Sequence, residues 1–415
     1  MHAASIAAGI LLLALVLLDA FQTIILPRRP VGRFRITKLF FLLTWYPWTA
    51  LAMLAHSRRS REQMYSVYGP LALLVLFFVW AMLLVFAYGL IYFGLRMPFS
   101  DPMHPVTYLQ ILRSCFYVSG TTIFTLGLGD VQPLTHAARA LIVMEAGTGL
   151  GFVALVIGYV PVLYTAFSNR EISVALLDAR AGSPPTAGEM LTRHNFNGGH
   201  DALSALLGEW ERWAATMLET HISYPILCYY RSQHDNQSWL SALTAVLDTC
   251  ALLISVVPGV ASRQAQLTFA MGRHALVDLG HVFHLEKKEA ALHDNPASDP
   301  ATHRLPQADF HHLCDLMSQA GLRLCGDPEA PARLTALRAL YEPHAQALAD
   351  YLGMTLPAWI PAPRAKDQWK MVELVRSRAA ASLQEAAANP AVASLIRDSV
   401  LSDQAVAVRL HSEEH

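Results

Sequence analysis

Residues 119–133 read SGTTIFTLGLGDVQP, and their core is Thr125-Leu126-Gly127-Leu128-Gly129-Asp130. Glycine reaches backbone conformations that a Cβ forbids, so glycines at every second position let consecutive carbonyls turn to one side. A stack of such carbonyls above a threonine hydroxyl can replace the water shell of a bare cation. Thr125, Leu126, Gly127, Leu128 and Gly129 are therefore candidate coordinating residues, chiefly through backbone oxygens. The plainer reading is a glycine turn between two hydrophobic helices, with Asp130 capping it.

The elements around the string decide between those readings. The chain has 415 residues, 53% hydrophobic and 15% charged, with a positive mean hydropathy. Soluble domains carry about 25% charged residues. The shortfall is concentrated in the first 170 residues, which implies a membrane protein with a soluble remainder. A formal charge of −1 gives no sign of a nucleic-acid partner. The five cysteines (115, 228, 250, 314, 325) are scattered, with no C-x-x-C pair, which argues against a disulfide framework or a zinc ribbon.

Residues 3–26 are apolar and long enough for a bilayer that needs about 20 residues. With no basic segment before the run and no small-residue cleavage site after it, an anchor is expected, not a removed signal. Arg28, Arg29, Arg33, Arg35 and Lys38 follow and place that loop on the cytoplasmic side. Residues 36–55 are ambiguous: apolar, but interrupted by Lys38, Trp45, Pro47 and Trp48. If they span, the loop with four arginines faces outward. If they lie in the interface, all the basic residues stay inside, and the aromatic residues favour that depth. The interfacial helix is the expectation. Residues 67–95 form the second clear span, 107–124 a short helix before the string, and 136–167 the third span.

The string in this setting resembles the selectivity filter of potassium channels, within a bacterial two-transmembrane pore unit. That resemblance implies an outer helix (67–95), a pore helix (107–124), a filter (125–130) and an inner helix (136–167). It implies that the filter enters from outside while both flanking helices end in the cytoplasm. Arg58, Arg59 and Arg61 before the outer helix and Arg170 after the inner one agree with this. One filter string per chain implies a homotetramer, since a closed ring needs four. Asp130 would stand at the outer mouth, concentrating cations and bracing the filter. The usual pattern is T-V-G-Y-G-D. Leu128 in place of tyrosine removes one hydrogen-bonding brace, so weak selectivity among monovalent cations is the first rival reading.

In the expected inner helix, Gly147 and Gly151 form a G-x-x-x-G pair suited to close helix packing. Gly149 falls where this fold keeps its gating hinge, and Pro161 would bend the helix near the cytoplasmic gate. Glu145 and Asp19 are acidic residues inside apolar runs, which default to functional hypotheses. Glu145 would tune the filter or attract cations; the bland reading is a satisfied hydrogen bond to the pore helix. Asp19 would pair with a basic residue of the following loop.

Residues 169–415 show helical periodicity with turn clusters between, and imply an all-α cytoplasmic domain. The clearest window holds Leu203, Leu206, Leu207, Trp210, Trp213, Met217 and Leu218. Further helices are expected over 237–257, 262–286, 306–325, 330–353, 366–388 and 391–410. The 240–257 run is short and contains Asp248, so a buried core helix is expected, not a fourth span. The stretch from Tyr229 to Asn236 reads as a turn and helix cap. No G-x-G-x-x-G after a strand, no arginine at every third position of a span and no β-roll pattern appear, so the gating stimulus stays open. His274, Asp278 and His281, with His284 nearby, share one helix face at a spacing that could present three ligands to a divalent cation. Such a face serves equally as a solvated surface.

The expected fold is an all-α membrane protein, divided into 1–35, 36–62, 63–168 and 169–415. The expected function is a tetrameric potassium channel in the cell membrane, not an enzyme. Potassium is its permeant ion, with no other cofactor, and the cytoplasmic domain leaves room for a small-molecule or ion regulator. The rival from another class is a membrane-tethered signalling or enzyme module on a non-conducting pore scaffold, with the His/Asp face as its only foothold.

Overall fold

Among the described residues, three helices are long and apolar enough to cross a membrane: His2–Ile25, Arg58–Gly94 and His136–Ala181. The computed structural model describes residues 2–26, 35–195, 199–232, 237–294 and 304–360. The first span is α1 (His2–Ala20) followed by a π-helical turn, Phe21–Ile25. The second is α3 (Arg58–Gly94) and the third is α5 (His136–Ala181). The basic loop holding Arg28, Arg29 and Arg33, and the helices expected over 366–388 and 391–410, lie outside the described residues.

Both α3 and α5 outrun their apolar segments. Ser57 accepts the Ser60 N–H at 3.0 Å and caps α3, so the basic turn at 58–61 joins the helix. α5 runs through Pro161 and Phe167 to Ala181, where Gly182 at φ +85° ends it. At 1.5 Å per residue, its 46 residues extend about 69 Å, against a hydrocarbon thickness of about 30 Å.

The ambiguous segment forms α2 (Ile36–Met53), which is not among the three span-like helices. Its path along α3 is informative. α1 packs antiparallel to α3, with the His2 ring 5.6 Å from Phe93 and the Trp80 indole donating to Asp19 at 3.0 Å. The start of α2 sits at the same level, because the Thr37 N–H also donates to Asp19 at 3.0 Å. α2 then continues in the sense of α1: Trp45 packs on Tyr65 and Tyr68, and the Trp48 indole donates to the Met64 carbonyl at 3.1 Å. It does not turn back alongside α1 and α3 as a returning span would.

Small residues let α1 and α3 approach. A Cβ at Gly9 would lie 2.7 Å from the Ala87 carbonyl oxygen, and one at Gly94 would lie 2.8 Å from the His2 carbonyl oxygen.

Between α3 and α5, Thr107 and Gln110 form a reciprocal capping box that starts α4 (Tyr108–Ile123). Two short strands, β1 (Phe99–Ser100) and β2 (Gln132–Pro133), pair antiparallel, with Phe99 opposite Pro133 and Ser100 opposite Gln132. This clip ties the entry to α4 to the exit of the glycine string.

The C-terminal half is helical throughout its described residues. α6 (Ala187–His194) and α7 (Gly199–Ser223) lead through a 3-10 turn, Pro225–Tyr229, to α8 (Trp239–Ser255). α9 (Ser262–Val282), α10 (Glu286–Asp294), α11 (Gln307–Gln319), α12 (Ala330–Ala339) and α13 (Glu342–Leu352) complete it. All seven apolar residues of the 203–218 window are buried on α7. α8 is a core helix, with nearly every residue buried. Its Asp248 is answered by the Arg304 guanidinium at 2.6 and 3.2 Å. The single helix expected over 330–353 is instead two. Pro343 cannot give its N–H to a preceding turn, so the helix restarts with proline in its first turn. All described residues belong to one compact unit.

Candidate ion pathway

Thr125, Gly127 and Gly129 lie at φ +57°, +54° and +75°, in the left-handed region, while Leu126 and Leu128 do not. Glycine at 127 and 129 makes two of these three left-handed positions free of Cβ strain. Thr125 bears a β-branched side chain in a conformation rare outside glycine, so the surrounding structure must impose it. The imposing contacts come from the end of α4. The Thr121 carbonyl accepts N–H groups from Leu126 at 2.8 Å and Gly127 at 3.2 Å, and the Thr125 N–H bonds the Thr122 carbonyl at 3.0 Å.

The far end of the string is fixed as well. Tyr117 of α4 donates its hydroxyl to Asp130 at 2.7 Å, and Gln132 donates to the Gly129 carbonyl at 3.0 Å. Asp130 is therefore held by a tyrosine, a brace that the Leu128 position cannot supply. Residues 124–130 are all exposed on the surface of the single chain, with Leu126 at 62% and Leu128 at 63%.

Behind the string, Glu145 of α5 is fully buried and hydrogen-bonded to the hydroxyls of Tyr92 of α3 and Ser119 of α4. The satisfied hydrogen bond to α4 is what the structure brings together at this residue. One turn further, α5 meets the last turn of α4: a Cβ at Gly149 would stand 2.6 Å from the Ile123 carbonyl oxygen. Gly147, Gly151 and Gly158 have nothing within 4 Å of such a position in the chain. Close packing within the chain thus falls on Gly149, and the Gly147/Gly151 pair faces open space. Residues two apart point to opposite sides of a helix, which is why both cannot hold.

Residues 73–165 match the ion channel family. No curated protein and no solved structure matches the chain. The match takes in most of α3, all of α4 and the string, and α5 through Thr165. It supports an ion channel and a membrane protein whose ion-handling part is not an enzyme, and it leaves the C-terminal half unassigned.

The helices of the matched region join the C-terminal half at a buried arginine. Arg170, four per cent exposed near the end of α5, donates to the Leu227 and Tyr230 carbonyls at 2.9 Å each. It also bonds His221 Nε2 at 3.1 Å, while His221 Nδ1 bonds the Met217 carbonyl at 2.8 Å. A guanidinium only donates, so Nε2 accepts and the imidazole is neutral with its proton on Nδ1. Burial, with Arg170 beside it, holds His221 well below its ordinary pKa. The same 3-10 turn touches the other helices: Tyr229 packs on Trp45, Tyr68 and Tyr351, and a Cβ at Gly69 of α3 would lie 2.8 Å from the Tyr230 ring. Sequence reasoning read Arg170 as a topology marker only. Its partners His221, Leu227 and Tyr230 lie far along the chain and left no local pattern that would show burial.

Asp19 takes the bland role expected of it. Besides the Trp80 indole it accepts the Thr37 N–H and hydroxyl, at 3.0 and 2.7 Å, and faces Arg35 at 3.7 Å. It caps α2 from α1.

The His274, Asp278 and His281 face does not converge as a three-ligand centre. Asp278 sits between the two histidines at 3.7 and 3.9 Å, ion-pair distances along one exposed helix face. His284 turns away to bond Lys38 of α2 at 3.0 Å. Among the described residues, no group of three His, Cys, Asp or Glu side chains is disposed to hold a metal.

Proposed function

We propose that four copies of this chain close a ring around the Thr125–Gly129 string and form a potassium-selective channel in the cell membrane. The observation that carries this reading is the alternating left-handed backbone at Thr125, Gly127 and Gly129, held by the Thr121 carbonyl between two span-like helices. Backbone oxygens so aligned replace the hydration shell of a monovalent cation, and conduction is passive. α4 is the pore helix, α3 the outer helix and α5 the inner helix. The exposed residues 124–130 and the open faces of Gly147, Gly151 and Gly158 are where neighbouring copies and the ion path belong.

In this topology the string faces outward and the C-terminal helical half lies in the cytoplasm, with α2 along the inner interface beside the basic turn of α3. The junction at Arg170 then links that half to the foot of the inner helix, and gating passes through it. Pro161 leaves one carbonyl of the inner helix without its N–H and is the natural point of bending.

Weak selectivity among monovalent cations is the second reading. It draws on Leu126 and Leu128, both exposed, of which Leu128 stands where the family pattern has a hydrogen-bonding tyrosine. The brace from Tyr117 to Asp130 favours potassium selectivity over it.

Mixing wild-type and Gly127→Asp subunits tests the ring directly. If one charged subunit blocks a four-copy ring, an equal mixture retains about one sixteenth of the wild-type flux. Flux that falls only in proportion to the mutant share contradicts a shared pathway.

A further inference from the structure

Glu145 is buried, and among the described residues neither Lys nor Arg pairs with it. Its carboxyl meets two hydroxyls, Tyr92 of α3 at Oε2 and Ser119 of α4 at Oε1. Ser119 Oγ also lies 3.0 Å from the Val85 carbonyl oxygen. The protons can be counted. Each hydroxyl brings one, the Val85 carbonyl only accepts, and an ionised carboxylate only accepts. With Glu145 ionised, the single Ser119 proton would have to serve two acceptors. With a proton on Oε1 the count closes: Tyr92 donates to Oε2, Glu145 donates to Ser119, and Ser119 donates to Val85.

The surroundings point the same way. The titratable groups facing this carboxyl are Tyr92 and Tyr88 of α3 and, beside Tyr92, Cys115 of α4; Tyr88 is engaged with Thr148 at 2.9 Å. None supplies a positive charge, and a buried carboxylate without one carries a large desolvation cost.

We propose that Glu145 stands as a neutral carboxylic acid and is the positioning residue that holds the coordinating string in place. The geometry gives it a second point of leverage. Glu145 and Gly149 are one turn apart on α5, as Ser119 and Ile123 are on α4, so the hydrogen bond and the close contact fix both the register and the distance of the two helices. The string leaves α4 directly after Ile123, so any slip of α4 moves Thr125. A neutral acid holds α4 without placing a fixed charge behind the ion path. The positioning role rests on the proposed channel reading; the protonation does not.

Infrared difference spectra of the full chain in lipid at neutral pH, wild type against Glu145→Gln, test the proton. The expected result is the loss of one protonated-carboxyl C=O band in the variant. Loss of carboxylate bands instead overturns the proposal. Ser119→Ala provides a second reading if the glutamine variant does not fold: the same C=O band shifts because its hydrogen-bond partner is gone, and an unmoved band is contrary evidence. For positioning, Glu145→Gln keeps the potassium-over-sodium ratio of the wild type, since an amide donates and accepts in the same places. Glu145→Ala lowers that ratio about tenfold, the effect of leaving buried hydroxyls unpaired. An unchanged ratio in Glu145→Ala overturns the positioning role. If the wild type itself does not conduct, the channel reading fails while the infrared result still decides the proton.

Discussion

Gly149 of α5 sits against Ile123 of α4, so close that a Cβ at Gly149 would stand 2.6 Å from the Ile123 carbonyl oxygen. The contact gives this position a packing reason that stands beside the hinge role suggested by resemblance. Gly149→Ala must push α4 or α5 aside, which costs about 1–3 kcal/mol. Gly147→Ala and Gly151→Ala meet nothing within 4 Å in the chain, and leave the subunit's own stability little changed. Thermal unfolding of the three variants in detergent measures this. Equal losses in all three would contradict the asymmetry.

His221 makes stability depend on pH. Its imidazole is neutral in the fold because it accepts from Arg170 in a buried site, and its pKa lies well below the ordinary value. Above about pH 6.5 neither the folded nor the unfolded chain protonates it. Below that value the unfolded chain takes up a proton that the folded one refuses. Its contribution to stability therefore falls as pH drops, by about 1.4 kcal/mol for each unit below the unfolded pKa until the folded value is reached. Melting temperatures between neutral and mildly acid pH show the decline, and it is shallower in His221→Gln. A profile that the substitution leaves equally steep would count against the neutral imidazole.

Arg304 holds the C-terminal half together by its charge. Its guanidinium binds Asp248 of α8, Glu342 of α13 at 2.6 Å and the Pro357 carbonyl at 3.0 Å, with the Trp359 ring 5.6 Å away. Arg304→Met leaves buried Asp248 without its cation and Glu342 with Arg338 alone, at 3.2 Å, and destabilises by about 3–5 kcal/mol. Arg304→Lys restores only part, because an ammonium cannot reproduce the fork that grips Asp248. Denaturant unfolding followed by tryptophan fluorescence reads both, and a stable methionine variant would contradict the assignment.

The glycine string, the three long apolar helices and the α7 core face were readable because each rests on local chemistry: backbone freedom, length and period. The start of α4 at Thr107 and the core identity of α8 belong to the same class. The start of α3 at Arg58 lies beyond the apolar run 67–95, because Ser57 caps a basic turn that hydropathy does not mark. Long-range pairs left no periodic trace. Arg170 with Leu227, Arg304 with Asp248 and Gly9 with Ala87 depend on partners brought together only by folding. The G-x-x-x-G pair at Gly147 and Gly151 was legible as a motif, but not the side of α5 it faces. The His274 face shows the opposite limit, since ligand spacing on one helix does not make the side chains converge.

The brace at the outer end of the string bears on ion choice. Tyr117→Phe removes the hydroxyl that holds Asp130 at 2.7 Å and leaves every other contact of the string in place. In the proposed channel this lowers the potassium-over-sodium permeability ratio several-fold, the effect of about 1 kcal/mol for one hydrogen bond. A ratio equal to that of the wild type would show that Asp130 is held by other means.

Whether Thr125–Gly129 selects and passes potassium is read from the reversal potential of the purified protein in a planar bilayer, with potassium on one side and sodium on the other. The current is expected to reverse near the potassium equilibrium potential and to vanish in Gly127→Asp. A current that persists in Gly127→Asp, or no current from the wild type, would contradict that reading.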